Sequence, residues 1–341
     1  MHTSLIAGMH PFMAFNRNQT GLNPDFPGLH YHCVPQGDAP LTPDQRATFD
    51  SSLEFIGSPT DSMQFSCYKF NWQHMGPDTV ALVVMLQFSV TTELPLTTPY
   101  FIQQIVQQTP NSQPIIVINN PGMCGTSRIP RSIRIDVRAG IFDSLAEAIL
   151  VALKSADINH IELLGFSMGA RLAMAMGATT VRWDKPDLFP VVHAIAAAEP
   201  PGIEAFGFLD FFKRFSQVEG ERLAYYQDST TDTRLKLCVG LKPTEFQQAR
   251  GFLKAVLPDW KGNWALMTGM RRNSLLPDIE VLEDSEIPTI LIQGTRSAIS
   301  SRLHAPTGSL KLRLLPGDSH AFGEEGRRLA YHLLSAVRGK V

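Results

Sequence analysis

The sequence predicts an α/β protein whose core is a mostly parallel, twisted β-sheet with helices on both faces. From about residue 63 to the C-terminus, apolar runs typical of buried strands alternate with helical segments. Such an order implies right-handed crossovers between parallel strands. Residues 204–285 break the alternation with helical patterns and many aromatic residues, which predicts a helical cap inserted into the core.

We therefore divide the 341 residues into four segments. Residues 1–62 form an extension rich in Pro, Gly and Asn, which we expect to pack on the core. Residues 63–203 are the first part of the core, 204–285 the cap or lid, and 286–341 the last part of the core. Within the extension, only TPDQRATFDSSLEFI (42–56) has a helical pattern.

The composition argues against several classes of protein. The formal net charge is −2, whereas binding to nucleic acid requires clustered Lys and Arg. No apolar run approaches the ~18 residues of a membrane span. The four cysteines are scattered, without CxxC or Cys/His spacing that would suit a metal, as is typical of buried thiols in a reducing compartment. We expect a cytoplasmic protein that binds neither nucleic acid nor metal.

The core elements are predicted in the following order. MQFSCYKFNW alternates like a half-exposed strand, and PYFIQQIVQQ is a helix between the buried strands TVALVVMLQF and PIIVINNPG. FDSLAEAILVALKSA is a second helix, and its Ser144 and Glu147 predict a capping box. HIELLGFSMGARLAMAMG predicts a strand, a tight turn and a helix of small residues. VVHAIAAAEPPG, PTILIQG and LKLRLLPGDSH predict three more strands, and EEGRRLAYHLLSAV the closing helix.

GFSMG, at residues 165–169, is the strongest chemical signal in the chain. It follows an apolar strand and precedes a helix, the context in which a G-x-S-x-G motif forms a sharp turn. The small residues on each side allow a strained backbone and close packing of helix on strand. The turn projects the Ser167 hydroxyl above the carboxyl edge of the sheet, and the N–H of Met168 points into the same space.

Three motifs together resemble the α/β-hydrolase superfamily, from about residue 63 to the C-terminus: NNPGMCGTS after one strand, GFSMGA after the next and GDSHAF after the last. The resemblance implies an α/β-hydrolase fold with a Ser–acid–His triad in that chain order, an oxyanion hole and a cap after the sixth strand. Ser167 is then the nucleophile. His320 is the predicted base, since it follows the last strand and a Pro-Gly turn, which places it within reach of Ser167.

The acid of the triad is not where the resemblance predicts it. In the family it most often follows the seventh strand as Gly-x-x-Asp, and this chain has Ser297 there. Other acidic residues are poorly placed: Glu283, Asp284 and Glu286 precede that strand, and Asp318 is too near His320 in the chain. Glu199 ends the sixth strand, from which some branches of the family take their acid. The alternatives are that Glu199 caps a turn or pairs with an arginine of the cap, which would leave a Ser–His dyad.

The oxyanion hole is predicted from one turn and one loop. The Met168 N–H is the first donor. The resemblance implies a second donor in the loop after the third strand, where the family usually has His-Gly and this chain has Gln87-Phe88-Ser89. We expect the N–H of Ser89 there, with that of Phe88 next. Cys124 has no base paired with it in sequence, so we interpret it as a small buried residue.

These features predict a serine hydrolase that cleaves an ester or thioester with an apolar group through a Ser167 acyl-enzyme, without a metal or organic cofactor. Phe208, Phe211 and Phe212 lie on one face of a cap helix and are predicted to line the pocket for the apolar group; the alternative is that these rings only pack on the protein itself. Two other functions remain open. One is different chemistry on the same fold, such as C–C hydrolysis, a lyase or an acyltransferase, and the other is non-catalytic binding of a small molecule.

Overall fold

The computed structural model describes residues 53–57, 63–87, 98–123, 126–211, 213–214, 217, 257–272, 274–299, 308–318, 320 and 326–339. The strands in these ranges are β1 (Leu53–Ile56), β2 (Phe65–Phe70), β3 (Val80–Met85), β4 (Ile115–Ile118), β5 (His160–Phe166), β6 (Val191–Ala198), β7 (Thr289–Gly294) and β8 (Leu310–Leu315). The helices are α1 (Thr98–Gln108), α2 (Arg131–Ala139), α3 (Asp143–Ser155), α4 (Met168–Trp183), α5 (Trp260–Met270), α6 (Leu276–Glu283) and α7 (Gly326–Val337).

The eight strands form one sheet in the order β1-β2-β4-β3-β5-β6-β7-β8. The pairs β1–β2 and β2–β4 are antiparallel, and every pair from β4–β3 to β7–β8 is parallel. The predicted mostly parallel sheet is therefore confirmed. Because β3 to β8 run in the same direction, their carboxyl ends meet at one edge, and the residues that follow them are brought together there.

Helices cover both faces of the sheet, as predicted. Helices α2 to α6 contribute to the core cluster on one face, and α1 and α7 to the cluster on the other. Strand β3 shows why its apolar run is continuous. Val83 faces the first cluster, while Leu82 and Val84 face the second, and all three side chains are fully buried.

The helical interpretation of residues 42–56 is wrong at its C-terminal end. Leu53–Ile56 is strand β1, and it pairs antiparallel with β2 at the edge of the sheet. Tertiary pairing overrides the local helical pattern here, because β2 offers an unpaired edge. Residues 42–52 lie outside the described part of the chain. The edge strand thus comes from within the segment that was assigned to the N-terminal extension.

The predicted capping box of α3 is also wrong. Phe142 occupies the N-cap position and makes no side-chain cap bond. The Ser144 hydroxyl lies inside the helix and donates to Asp136 Oδ2 (2.7 Å), and the Glu147 carboxylate accepts from Lys185 Nζ (3.1 Å). Both side chains connect neighbouring elements instead of capping their own helix. Asp136 belongs to α2, a helix that the sequence interpretation missed.

Helices α5 and α6 come from the segment predicted as the cap, and both pack in the core cluster on the α4 face. Leu266 and Met270 of α5 and Leu282 of α6 are buried in that cluster. A buried ion pair also joins α6 to α4, with Arg171 Nη1 2.5 Å from Asp278 Oδ2. Residues 218–256 lie outside the described ranges, so the cap itself stays a prediction. None of the described helices is long and apolar enough to cross a membrane.

Candidate active site

Ser167 lies in the turn between β5 and α4, with the strained backbone that the motif predicts. Its φ of 55° and ψ of −121° are unfavourable for a residue with a Cβ. The Ser167 N–H donates to the Ala198 carbonyl at the end of β6 (2.9 Å), and the Ser167 carbonyl accepts from the Arg171 N–H (3.0 Å). The strained residue is therefore held from both the sheet and the helix.

The two glycines of the motif permit close backbone packing. A Cβ on Gly165 would collide with backbone atoms of Gly169 and Ala170 at the start of α4. A Cβ on Gly169 would collide with the carbonyls of Met85 and Leu86, where β3 ends. Helix α4 thus begins directly against the carboxyl ends of β3 and β5, and the requirement for small residues is explained by backbone contacts.

Glu199 follows β6 and is the second residue with an unusual backbone. Its φ is 55°. The other described residues with positive φ, glycines apart, are Asn71, Asp157 and Asp184, which are the residue types that tolerate this region. Ser167 and Glu199 are therefore the exceptions among the described residues, and strain of this kind clusters at functional sites.

The carboxylate of Glu199 is fully buried and accepts hydrogen bonds from the next strand and the last loop. Oε1 accepts from the Gly294 N–H (2.5 Å). Oε2 accepts from the Ser297 hydroxyl and from His320 Nδ1, the latter at 3.2 Å. A buried carboxylate without donors would be costly, and these bonds remove that cost. Among the described residues, these partners of the carboxylate include no arginine.

His320 connects Glu199 to Ser167. It follows β8 through the predicted Pro316-Gly317 turn, in which Gly317 has a φ of 76°. Its ring is buried and lies 5.1 Å from the Phe166 ring between centroids. Nδ1 donates to Glu199, so in the neutral ring Nε2 carries the lone pair, and Nε2 is 3.1 Å from Ser167 Oγ. The three side chains predicted for the triad therefore form one chain of hydrogen bonds.

No protein-family model and no curated protein matches this chain. Its structure is similar to an enol-lactonase from Burkholderia xenovorans LB400 (TM-score 0.55, 13% identity, covering 84% of this chain and 100% of that one). It is also similar to a haloalkane dehalogenase from Agrobacterium tumefaciens C58 (0.52, 16%, 84% and 96%) and to a carboxylesterase structure from Nitrososphaera gargenis (0.50, 16%, 84% and 100%).

The chain has the α/β-hydrolase fold. The resemblance stated from the sequence motifs is confirmed at the level of the fold. These similar structures are a lactonase, a dehalogenase and a carboxylesterase, so the α/β-hydrolase fold does not by itself select a reaction.

The carboxylate of Asp318 makes a structural contact instead of serving as the acid beside His320. Its carboxylate pairs with Arg328 of α7, with 2.9 Å between Oδ1 and Nη1. This pair connects the loop that carries His320 to helix α7.

His332 also lies on α7, and burial, with the positive charges of Arg313 and Arg328, lowers its pKa to about 3. His332 is therefore neutral over the physiological pH range.

The oxyanion hole is described only in part. Met168 begins α4, so its N–H is among those that have no acceptor within the helix. Phe88 and Ser89 lie outside the described residues, as does Cys124. The described part of the loop ends at Gln87, whose carbonyl accepts from Asn120 Nδ2. The second donor therefore stays a prediction.

The aromatic residues predicted to line the pocket differ in their surroundings. Phe211 is buried in the core cluster on the α4 face. Phe208 is 40% exposed, and its ring lies 5.3 Å from that of Trp264 on α5. Phe212 lies outside the described side chains. The roles of these rings in binding a substrate stay predictions, and for Phe211 a contribution to the core is established.

Ser297 is the contact that sequence reasoning did not assign. From the sequence it is the residue in place of the expected aspartate, and its hydroxyl could steady a Ser–His dyad but was not expected to bind Glu199. The signal that could have found it is strand order, since a residue that follows β7 lies beside one that follows β6 when the strands are neighbours.

In the described part of the chain, no group of three or more His, Cys, Asp or Glu side chains could hold a metal ion.

Proposed function

We propose that this protein is a serine hydrolase that cleaves an ester or thioester with an apolar group through a covalent acyl-enzyme. One observation carries the proposal: the continuous contacts from Ser167 Oγ to His320 Nε2 and from His320 Nδ1 to Glu199 Oε2. A nucleophile, a base and an orienting carboxylate in this arrangement suit acyl transfer. The similarity to solved α/β-hydrolases supports hydrolysis in general. The substrate class is inferred from the residues of the site.

In the proposed reaction, His320 Nε2 takes the hydroxyl proton as Ser167 Oγ attacks the carbonyl carbon. Glu199 accepts the Nδ1–H and stabilises the imidazolium charge. The Met168 N–H donates to the tetrahedral oxyanion. The bond to the leaving alcohol or thiol then breaks, and His320 returns its proton to that group. Water attacks the acyl-enzyme with His320 as base, which releases a carboxylic acid and restores Ser167.

The surroundings of the triad favour an apolar substrate. Phe166 and Met168, which flank the serine in the chain, are both buried. Buried apolar residues around the triad lower the local dielectric, which strengthens the bonds of Glu199 and of the oxyanion donors. The aromatic residues at the start of the predicted cap, of which Phe208 is partly exposed, offer a contact for an acyl or alkyl chain.

The nucleophile is tested by labelling with a fluorophosphonate, in which Ser167 Oγ would bond to phosphorus with loss of fluoride. We expect the wild-type protein to be labelled and Ser167→Ala to show no labelling and no ester turnover. Ser309→Ala is the control, because that serine precedes β8 at the opposite edge of the sheet and its hydroxyl bonds to the Leu282 carbonyl. Labelling or turnover that survives Ser167→Ala would refute the proposed function. A panel of p-nitrophenyl esters and acyl thioesters then identifies the leaving group.

A second experiment tests the pocket. Phe208→Ala should weaken turnover of longer acyl chains more than that of acetyl, because a lost ring contact removes on the order of 1–3 kcal/mol of apolar burial. Phe211→Ala should instead lower the free energy of unfolding by about 3–5 kcal/mol, as expected for a buried ring. Activity on a series of p-nitrophenyl esters and urea unfolding measure the two effects. An equal loss for every chain length in Phe208→Ala would contradict its role in the pocket.

A further inference from the structure

We propose that Ser297 is a positioning residue of the triad: its hydroxyl holds Glu199 Oε2, the same oxygen that accepts from His320 Nδ1. This inference rests on the proposed function and adds a member to its machinery. The strand that usually supplies the acid in this fold would then still contribute to the triad, with a neutral donor instead of a charge.

The backbone around Ser297 is held on several sides, so its hydroxyl has a defined position. The Ser297 N–H donates to the Gly294 carbonyl (3.2 Å), and the next carbonyl, that of Ala298, accepts from Arg214 Nη1 (2.9 Å). The Arg296 N–H donates to the Asp318 carbonyl in the loop that carries His320 (2.8 Å). The turn after β7 is thus connected to the loop after β8, and both present side chains to Glu199.

The three bonds to Glu199 leave its carboxylate little freedom to rotate. Gly294 holds Oε1, while Ser297 and His320 use the two lone pairs of Oε2. Without the Ser297 hydroxyl, Oε2 could rotate together with the imidazole ring, and the carboxylate would no longer fix the orientation of the ring. More of the carboxylate charge would also face the ring.

A serine suits this place better than an aspartate as long as Glu199 is present. Its hydroxyl is a donor to the carboxylate, whereas a second carboxylate at the same distance would repel it until one of the two bound a proton. Two other charged residues in the described parts of the loops after β7 and β8 have partners of their own. Asp318 pairs with Arg328, and Arg296 Nε donates to the Gly317 carbonyl (2.5 Å). Glu199 is therefore the carboxylate that acts on the ring.

The test compares Ser297→Ala with Ser297→Thr and with Thr295→Val. Ser297 is half-buried, and threonine keeps its hydroxyl while adding one methyl group. Thr295 lies in the same turn, and its hydroxyl accepts from the Gly317 N–H (2.8 Å). Thr295→Val thus disturbs the same loops without removing a donor to Glu199. Hydrolysis of a p-nitrophenyl ester and the rate of fluorophosphonate labelling are measured from pH 5 to pH 9.

We expect Ser297→Ala to lower kcat/KM and the labelling rate by about 10-fold, the effect of one hydrogen bond to a charged group. Its acid limb should move to higher pH, because more of the carboxylate charge faces the ring. Ser297→Thr should behave like wild type, and Thr295→Val should keep the wild-type pH profile.

Three results would overturn the inference: a wild-type rate and profile in Ser297→Ala, the same change in Thr295→Val, or no recovery in Ser297→Thr. The proposed function fails by a different result, since it depends on loss of labelling in Ser167→Ala. A protein in which Ser167→Ala is inactive and Ser297→Ala is unchanged would keep the triad and lose only the role of Ser297.

Discussion

The turn after β5 and the turn after β6 lie side by side at the carboxyl edge of the sheet, and each places a strained residue there. Ser167 and Glu199 have the same φ of 55°. They differ in what holds them. The serine turn is stabilised by the close packing of Gly165 and Gly169, both within two residues of it. The glutamate turn is stabilised by donors 95 to 121 residues away in the chain, on Gly294, Ser297 and His320.

This difference decides how each turn should respond to mutation. A turn that depends on backbone packing fails when any side chain is added, because backbone atoms cannot move aside. A turn that depends on hydrogen bonds keeps its shape when a donor or acceptor is exchanged, and it fails chemically instead. The comparison therefore predicts loss of activity without loss of stability at the acid, and loss of stability at the glycines.

Among variants that keep Ser167, Glu199→Gln should give the largest effect on activity. If the amide oxygen stays toward the Gly294 N–H, the amide NH₂ faces His320 Nδ1 and forces that nitrogen to accept. Nε2 then carries the proton and cannot take one from Ser167. We expect kcat to fall by about 10³–10⁴ with little change in KM.

Steady-state kinetics measure this effect, with circular dichroism to verify the fold. A loss of less than about tenfold would mean that Glu199 does not orient His320 in the reaction, and the site would be a Ser–His dyad.

Among changes to the two turns, Gly169→Ala should give the largest effect on stability, because the new Cβ meets the carbonyls of Met85 and Leu86. We expect a loss of about 3 kcal/mol in the free energy of unfolding, the upper part of the range for overpacking, together with slower labelling of Ser167. Gly177→Ala is the matched control in the same helix, since its Cβ meets the end of the Ile195 side chain, which can rotate away.

Urea unfolding of both variants measures the difference. Equal stabilities of the two variants would show that the packing of Gly169 on β3 does not hold the serine turn.

Moving the acid back to the position after β7 should raise the activity of a variant that lacks Glu199, by less than the loss expected for Glu199→Gln. In Glu199→Ala, an added Ser297→Asp would extend one bond further than the serine hydroxyl, toward the space left by Glu199 Oε2. We expect the double variant to be about 10-fold more active than Glu199→Ala, because a carboxylate again supports the imidazolium. Ser297→Asp alone should be less active than wild type, since it places two carboxylates in contact.

The kcat of the four proteins completes a double-mutant cycle for this pair. A double variant no more active than Glu199→Ala would show that position 297 cannot present a carboxylate to His320.

Much of the fold could be predicted from the sequence because its signals are local. Each buried strand is an apolar run, and GFSMG predicts its turn from five adjacent residues. The errors occurred where a distant partner outweighed a local pattern. Leu53–Ile56 became a strand because β2 was there to pair with it, and Ser144 bonded to Asp136 instead of its own helix.

The sequence by itself determined the α/β architecture, the strained serine and the order of the elements that carry the triad residues, since these depend on periodicity and on residues close together in the chain. Only the tertiary structure decided which carboxylate meets His320 and what holds that carboxylate. The sequence favours Glu199 over Asp318 from position alone and leaves open whether Glu199 reaches the ring. The parallel order of β6, β7 and β8 brings Glu199 to the ring, and Arg328 binds Asp318 behind it. The bonds of Glu199 join residues about 100 positions apart in the chain, and a local sequence pattern cannot predict contacts over that separation.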